Sequence, residues 1–258
     1  MTEAVNFLQW LAGSEYHRPG FKRARRPSQI PGVLSVGEVK AVFQPIVDLR
    51  TKTIFAYETL ARSNSPHFES PPKLFTEAIR GQCCGALGRI LRELAVESCP
   101  DHALFINIHP QELDEGWLVQ PDDPIFGHFH PIYLEITESV PLSHFSLCHS
   151  MLREIRSKGV HLAIDDLGAG YSNLKYIADL HPEIVKLDRG LIAGLDTDPR
   201  RQKLVKHMVA LCEDLGAKVV AEGMETEDEL KASIDTGAHY GQGYFFARPS
   251  YPPPPVAY

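Results

Sequence analysis

The chain has 258 residues, 43% hydrophobic and 23% charged, with a net charge of −7 at pH 7. That length and balance suit a globular domain with a large core, and single α/β barrels commonly have this size. No apolar stretch approaches the roughly 20 residues a membrane helix needs, and the acidic balance argues against a nucleic-acid polymer as partner. The N-terminus starts acidic and lacks the layout of a secretory signal. The five cysteines (Cys83, Cys84, Cys99, Cys148 and Cys212) show no paired zinc spacing, which reads as reduced, mostly buried thiols in a cytoplasmic protein.

Residues 1–38 read as an appendage. Phe7, Leu8, Trp10 and Leu11 suggest a short helix, and Pro19, Gly20, Pro27, Pro31 and Gly32 break up the stretch after it. Arg18, Lys22, Arg23, Arg25 and Arg26 form a basic cluster, expected as a solvated arm, with contact to an acidic protein partner or membrane surface as the sharper alternative. From 39 to 250, strand and helix patterns alternate. Strands are predicted at 42–48, 54–61, 103–108, 131–136, 161–165, 184–187, 218–221 and 243–246. Only the turn-like RTK separates the first two, so they form a hairpin and one antiparallel pair in an otherwise parallel sheet. Helices are predicted from Ser143 to Lys158 and over 199–215, where Leu204, Met208, Val209, Leu211, Cys212 and Leu215 recur at helical spacing. Thr226 and Glu229 have the spacing of a capping box. Residues 251–258 form a proline-rich tail, expected to be extended. About eight strands alternating with helices favour a TIM-like (β/α)8 barrel with one antiparallel strand.

Six acidic or amide side chains sit where strand patterns end: Glu58, Asn107, Glu135, Asp165, Asp166 and Glu222. Their hosts (FAYETLAR, LFINI, YLEIT, LAIDD and VVAEG) are runs that should be buried, where carboxylates are rare unless paired or metal-bound. In a barrel the strand ends share one mouth, which Lys186 and Gln242 would also reach. Such an oxygen-rich site suits Mg²⁺ or Mn²⁺, two per site, which can activate water for phosphodiester cleavage. Lys186 could position that water, and Arg62 could bind a phosphate oxygen. Taken singly, each motif has a bland reading: a lone DD is usually a solvated turn or helix start, and Gly168-Ala169-Gly170 lacks the third glycine of a dinucleotide fingerprint.

Eight ordered segments then carry a resemblance: FQPIVDL (43–49), YETLAR (57–62), FINIHPQEL (105–113), LEITES (134–139), IDDLGAGYSNL (164–174), VKLDR (185–189), AEGMET (221–226) and GQGYFFARP (241–249). The chain resembles the EAL domain family of cyclic di-GMP phosphodiesterases over roughly 38–250. The resemblance implies a cytoplasmic hydrolase that opens cyclic di-GMP to linear pGpG, uses Mg²⁺ or Mn²⁺, is inhibited by Ca²⁺ and forms a homodimer. It implies that Glu58, Asn107, Glu135 and Asp165 ligate one metal, and that Asp165 and Asp166 hold the second. Glu222 would join the ligands or act on the bound water, and Lys186 would orient that water. Gln44, Arg62 and Gln242 match substrate-contacting positions, and Glu138 and Glu225 match acids that hold the DLGAG loop. Three departures stand out: Thr59 within the signature tripeptide, and Leu167 and Ala169 after Asp166. Thr59 should point away from the cavity, whereas Leu167 and Ala169 are expected to weaken loop ordering. The alternative reading is a non-catalytic cyclic di-GMP receptor; such proteins usually lose ligands that are all present here.

Overall fold

The computed structural model describes residues 29–30, 34–35, 39–64, 71–115, 117–137, 151–169 and 174–256. Eight strands close into a barrel: β1 (Val39–Asp48), β2 (Thr53–Ser63), β3 (Leu104–Asn107), β4 (Ile132–Thr137), β5 (His161–Leu167), β6 (Ile184–Leu187), β7 (Lys218–Ala221) and β8 (Tyr240–Gln242). Strand β1 runs antiparallel to both neighbours, β2 and β8, and all other pairings are parallel. The predicted hairpin is therefore present, joined by a second antiparallel pairing that closes the barrel. Its turn is held by the Asp48 carboxylate, which accepts the Arg50 and Thr51 amides at 3.0 and 2.8 Å.

Among the described residues the α-helices are α1 (Pro71–Arg80), α2 (Cys84–Ser98), α3 (Pro110–Glu115), α4 (residues 151–157), α5 (Lys175–Leu180), α6 (Arg189–Ile192), α7 (Pro199–Asp214) and α8 (Glu227–Asp235). The start predicted at Ser143 lies outside the described residues, as do residues 1–28, Cys148 and Glu138. Helix α7 starts as its sequence dictates: Asp198 accepts the Arg200 and Arg201 amides, and Pro199 occupies a position needing no donor. It buries Val205, Val209 and Cys212 but leaves Leu204 and Leu211 exposed, as is Leu215 just past its end, so the expected apolar face is narrower than its composition suggests. The capping box at Thr226 and Glu229 forms in both directions.

Two predicted strands need correction. The last is Tyr240–Gln242, not 243–246, which is a turn. Gly243 packs so tightly that a Cβ there would lie 2.1 Å from the Met224 carbonyl oxygen, and its own carbonyl accepts the Phe246 and Ala247 amides of the turn. Strand β5 continues past 165 to Leu167, which is fully buried and pairs with Leu187. Leu167 is thus a core residue, not part of a loop.

Strand alternation divides the barrel into an inner and an outer face. Tyr57, Ile106, Leu134, Ile136, Ile164, Val185, Leu187 and Val219 join the outer core under the helices. Ile46, Ala56, Phe105, Tyr133, Ala163, Ile184, Val220 and Tyr240 fill the interior. No helix connects β1 to β2, and the C-terminal segment lies along this hairpin. Ser250 bridges to Phe43, the Tyr251 ring lies 6.5 Å from the Phe43 ring, and the Tyr57 hydroxyl donates to the Pro254 carbonyl at 2.9 Å. No described helix is long and apolar enough to cross a membrane.

Candidate active site

Each inner apolar residue has a polar partner two positions from it, toward the mouth. Gln44 stands over Ile46, Glu58 over Ala56, Asn107 over Phe105 and Glu135 over Tyr133. Asp165 follows Ala163, Lys186 follows Ile184, Glu222 follows Val220 and Gln242 follows Tyr240. A two-residue step keeps the side-chain direction and moves it up the barrel. The polar layer therefore follows from strand periodicity, with hydrocarbon beneath it.

Lys186 is at its centre and is 1% exposed. Its Nζ lies 2.5 Å from Glu135, 2.7 Å from Glu222, 2.9 Å from Asp165 and 3.5 Å from Glu58. Gln242 Nε2 donates to Glu58 Oε2 at 2.5 Å and to Gln44 Oε1 at 3.2 Å, while Asn107 Nδ2 donates to Glu58 Oε1 at 3.2 Å. Gln44 in turn donates to the Ala247 carbonyl at 3.2 Å.

Asp165 and Asp166 adjoin in sequence, and simple alternation would send them to opposite faces. The ladder between β5 and β6 slips between Ile164 and Leu167, and Asp166 adopts a left-handed backbone with φ 58°. Such an irregularity re-aims a side chain, and aspartate tolerates that conformation better than most residues. Asp165 and Asp166 then border one cavity of about 520 Å³ together with Glu58, Glu222 and Lys186. Ligand oxygens of Asp165, Asp166 and Glu222 come within 4.8 Å of one another.

Burial is the main force on these groups. It raises the Glu135 and Glu222 carboxyls well above the usual range, against the opposing pull of Lys186. Burial and then Asp165 push Asp166 up to about 6. Burial alone would lower the Lys186 ammonium, but Asp165, Glu135, Glu222 and Glu58 together raise it well above its ordinary value. Five carboxylates thus face one buried ammonium. Carboxylates about 5 Å apart repel by about 3 kcal/mol per pair at an effective dielectric of 20. Glu135 Oε2 is buried without a donor, and the Lys186 ammonium is shared between Glu135 Oε1, Asp165 Oδ1 and Glu222. Unsatisfied oxygen acceptors in excess of positive charge fit hard divalent cations.

Of the other predicted residues, Glu225 borders the same cavity and Arg62 does not. Arg62 donates to the Ala61 carbonyl and, with Asn107, borders a neighbouring apolar cavity of about 660 Å³ rather than the carboxylate cavity. Thr59 also borders that second cavity, pointing away from the carboxylates as alternation requires. Glu225 pairs with Arg189 at 2.5 Å. Arg189 and Tyr244, which sequence reasoning did not single out, border the carboxylate cavity. Both lie inside motif segments, VKLDR and GQGYFFARP, but an arginine or tyrosine at a strand end has no chemical signature of its own.

A family model described as "EAL domain" matches residues 28–249. The chain belongs to the EAL domain family. Among relatives of this EAL protein, the cyclic di-GMP phosphodiesterase RocR of Pseudomonas aeruginosa is 31% identical over 252 residues, which are 90% of this chain and 64% of RocR. The EAL chain thus spans less than two thirds of that relative. An EAL domain protein from Listeria monocytogenes superposes with a TM-score of 0.71 at 29% identity, covering 83% of this chain and 89% of that one. Klebsiella pneumoniae BlrP1, solved as a manganese/cy-diGMP complex, gives a TM-score of 0.72 at 31% identity, covering 85% of this chain and 57% of its own.

Proposed function

We propose that this EAL domain hydrolyses one phosphodiester of cyclic di-GMP, giving linear pGpG, with two Mg²⁺ or Mn²⁺ ions at the barrel mouth. The observation that carries the reading is the convergence of Glu58, Glu135, Asp165, Asp166 and Glu222 around one ammonium, with Glu135 Oε2 buried and unsatisfied. The activity named for RocR and the manganese and cyclic di-GMP bound by BlrP1 support the same substrate and metal class.

Glu58, Asn107, Glu135 and Asp165 would hold one cation, and Asp165, Asp166 and Glu222 the other. Bound there, the pair supplies positive charge at the entering and leaving oxygens of an in-line displacement. The protein's own residues set the geometry. Lys186 keeps its proton among the carboxylates and can orient the attacking water through Nζ. Glu222, at the rim of the layer, can accept that water's proton. Gln242, which also donates to Gln44, fixes the Glu58 carboxylate; both glutamines would offer amides to the substrate, and Arg62, which borders the neighbouring cavity, would take a phosphate oxygen. A homodimer, a cytoplasmic site of action and a partner contact through Arg18–Arg26 complete the proposal.

Purified protein incubated with cyclic di-GMP and Mn²⁺ should yield pGpG by chromatography. Glu58→Ala should abolish that yield by removing a cation ligand that Asn107 and Gln242 hold in place. Tight binding without turnover at every protein concentration would replace the hydrolase by a receptor.

A further inference from the structure

A second buried charge cluster lies outside the cavity, between α2, α3 and the loop before β4. Arg92 of α2 is fully buried. Its Nε and Nη2 donate to Asp123 at 3.1 and 2.8 Å, and its Nη1 donates to Glu112 Oε2 at 2.5 Å. Glu112 is also fully buried, and its other oxygen accepts the His109 amide at 2.9 Å. In return, His109 Nδ1 accepts the Gln111 amide at 3.2 Å, and the His109 carbonyl accepts the Glu112 amide at 2.9 Å. Space is reserved for this carboxylate: a Cβ at Gly88, one turn before Arg92, would lie 1.8 Å from Glu112 Oε2.

A glutamate that caps a helix start needs no arginine behind it when water can reach it. A buried ion triplet is by itself weak evidence even for stability. What gives this one meaning is its address. His109 stands two residues after Asn107, and Asn107 is the strand end whose amide holds Glu58 Oε1. Helix α3 has six residues, too few to be rigid alone. Arg92 fastens its first turn to the fifteen-residue α2, and Asp123 fixes the far side of the guanidinium.

We propose that Glu112, clamped by Arg92, is a positioning residue that fixes the turn after Asn107 and thereby holds the Asn107 amide oxygen in place for a divalent cation. The inference rests on the functional reading above. Glu112→Gln keeps the shape but cannot serve both neighbours: the one remaining oxygen can accept from Arg92 or from His109, and the new amide then faces a donor.

The test is Mn²⁺ uptake without substrate, followed by calorimetry or by the electron paramagnetic resonance of free Mn²⁺. Groups that orient a ligand typically change metal affinity 10–100-fold, so Glu112→Gln should weaken Mn²⁺ binding about tenfold. In an Asn107→Ala background the same change should alter binding by less than about twofold, because the group it positions is gone. An equal factor in both backgrounds overturns the inference. Gly88→Ala provides a second variant: it favours the helix yet pushes on the Glu112 carboxylate, and should weaken Mn²⁺ binding in the same direction. Unchanged binding in both single variants overturns the proposal. So does loss of the barrel in both, since Glu112 would then be a folding residue. If the unaltered protein takes up no Mn²⁺, the functional reading itself has failed, a different result from equal uptake by unaltered and altered chains.

Discussion

Replacing Lys186 by methionine keeps much of the side chain's volume and removes the buried ammonium at the centre of the site. At 2.5–2.9 Å from Glu135, Glu222 and Asp165, each contact has a gross Coulomb energy of about 6 kcal/mol at an effective dielectric of 20. Burying the ammonium offsets much of that, so the better guide is the cost of deleting one partner from a buried ion cluster, about 3–5 kcal/mol. For a domain of this size each kcal/mol moves the melting temperature by about 2–4 °C. Lys186→Met should therefore melt about 6–20 °C lower than the unaltered protein in EDTA, followed by circular dichroism. Added Mn²⁺ should raise the variant's melting temperature more than that of the unaltered protein, because the cations assume the missing charge. A variant that melts within about 2 °C of the unaltered protein in EDTA would refute the view that Lys186 offsets carboxylate repulsion.

Thr59 Oγ1 is buried without a hydrogen-bond partner, so Thr59→Ala removes an unsatisfied hydroxyl and should stabilise by about 1 kcal/mol in urea titration, with turnover within about twofold; a loss above about 1 kcal/mol would contradict the placement. Leu167→Phe enlarges a side chain with no exposed surface, and should cost about 1–3 kcal/mol and alter activity or self-association more than Thr59→Ala does. Equal, negligible effects of the two would remove any special role for position 167. Gly243→Ala puts a methyl into the Met224 backbone and should cost at least about 3 kcal/mol in the same titration, beyond the usual range for a single substitution; a cost below about 1 kcal/mol would show that the turn can relax.

The polar layer was legible because strand alternation is a local rule. Glu58, Glu135, Asp165 and Lys186 each follow an apolar residue by two positions, and sequence alone marks them as inward and near the mouth. The failures occur where a local rule gives way to tertiary packing. Tyr244, Phe245 and Phe246 carry a strong apolar signal, while the true strand is Tyr240-Gly241-Gln242, whose small Gly241 packs against Met224 and Leu49. The slip that aims Asp166 into the cavity comes from pairing with β6, which no window around Asp166 contains. Arg62 was placed by its spacing from Glu58, but its side chain borders the adjoining cavity. Glu112 and Arg92 were invisible for a similar reason: 20 residues separate them, and charged residues on predicted helices normally face water.

Strand β1 depends on residues far downstream of it. Its far edge is completed by Tyr240–Gln242, and the outer wall of the first hairpin is covered by residues 250–254. During synthesis, β1 therefore emerges with one edge unpaired and keeps it so until Tyr240–Gln242 has been made. Closure is a long-range event, and a ribosome-bound chain still lacking Tyr240–Gln242 would present β1 with that edge open.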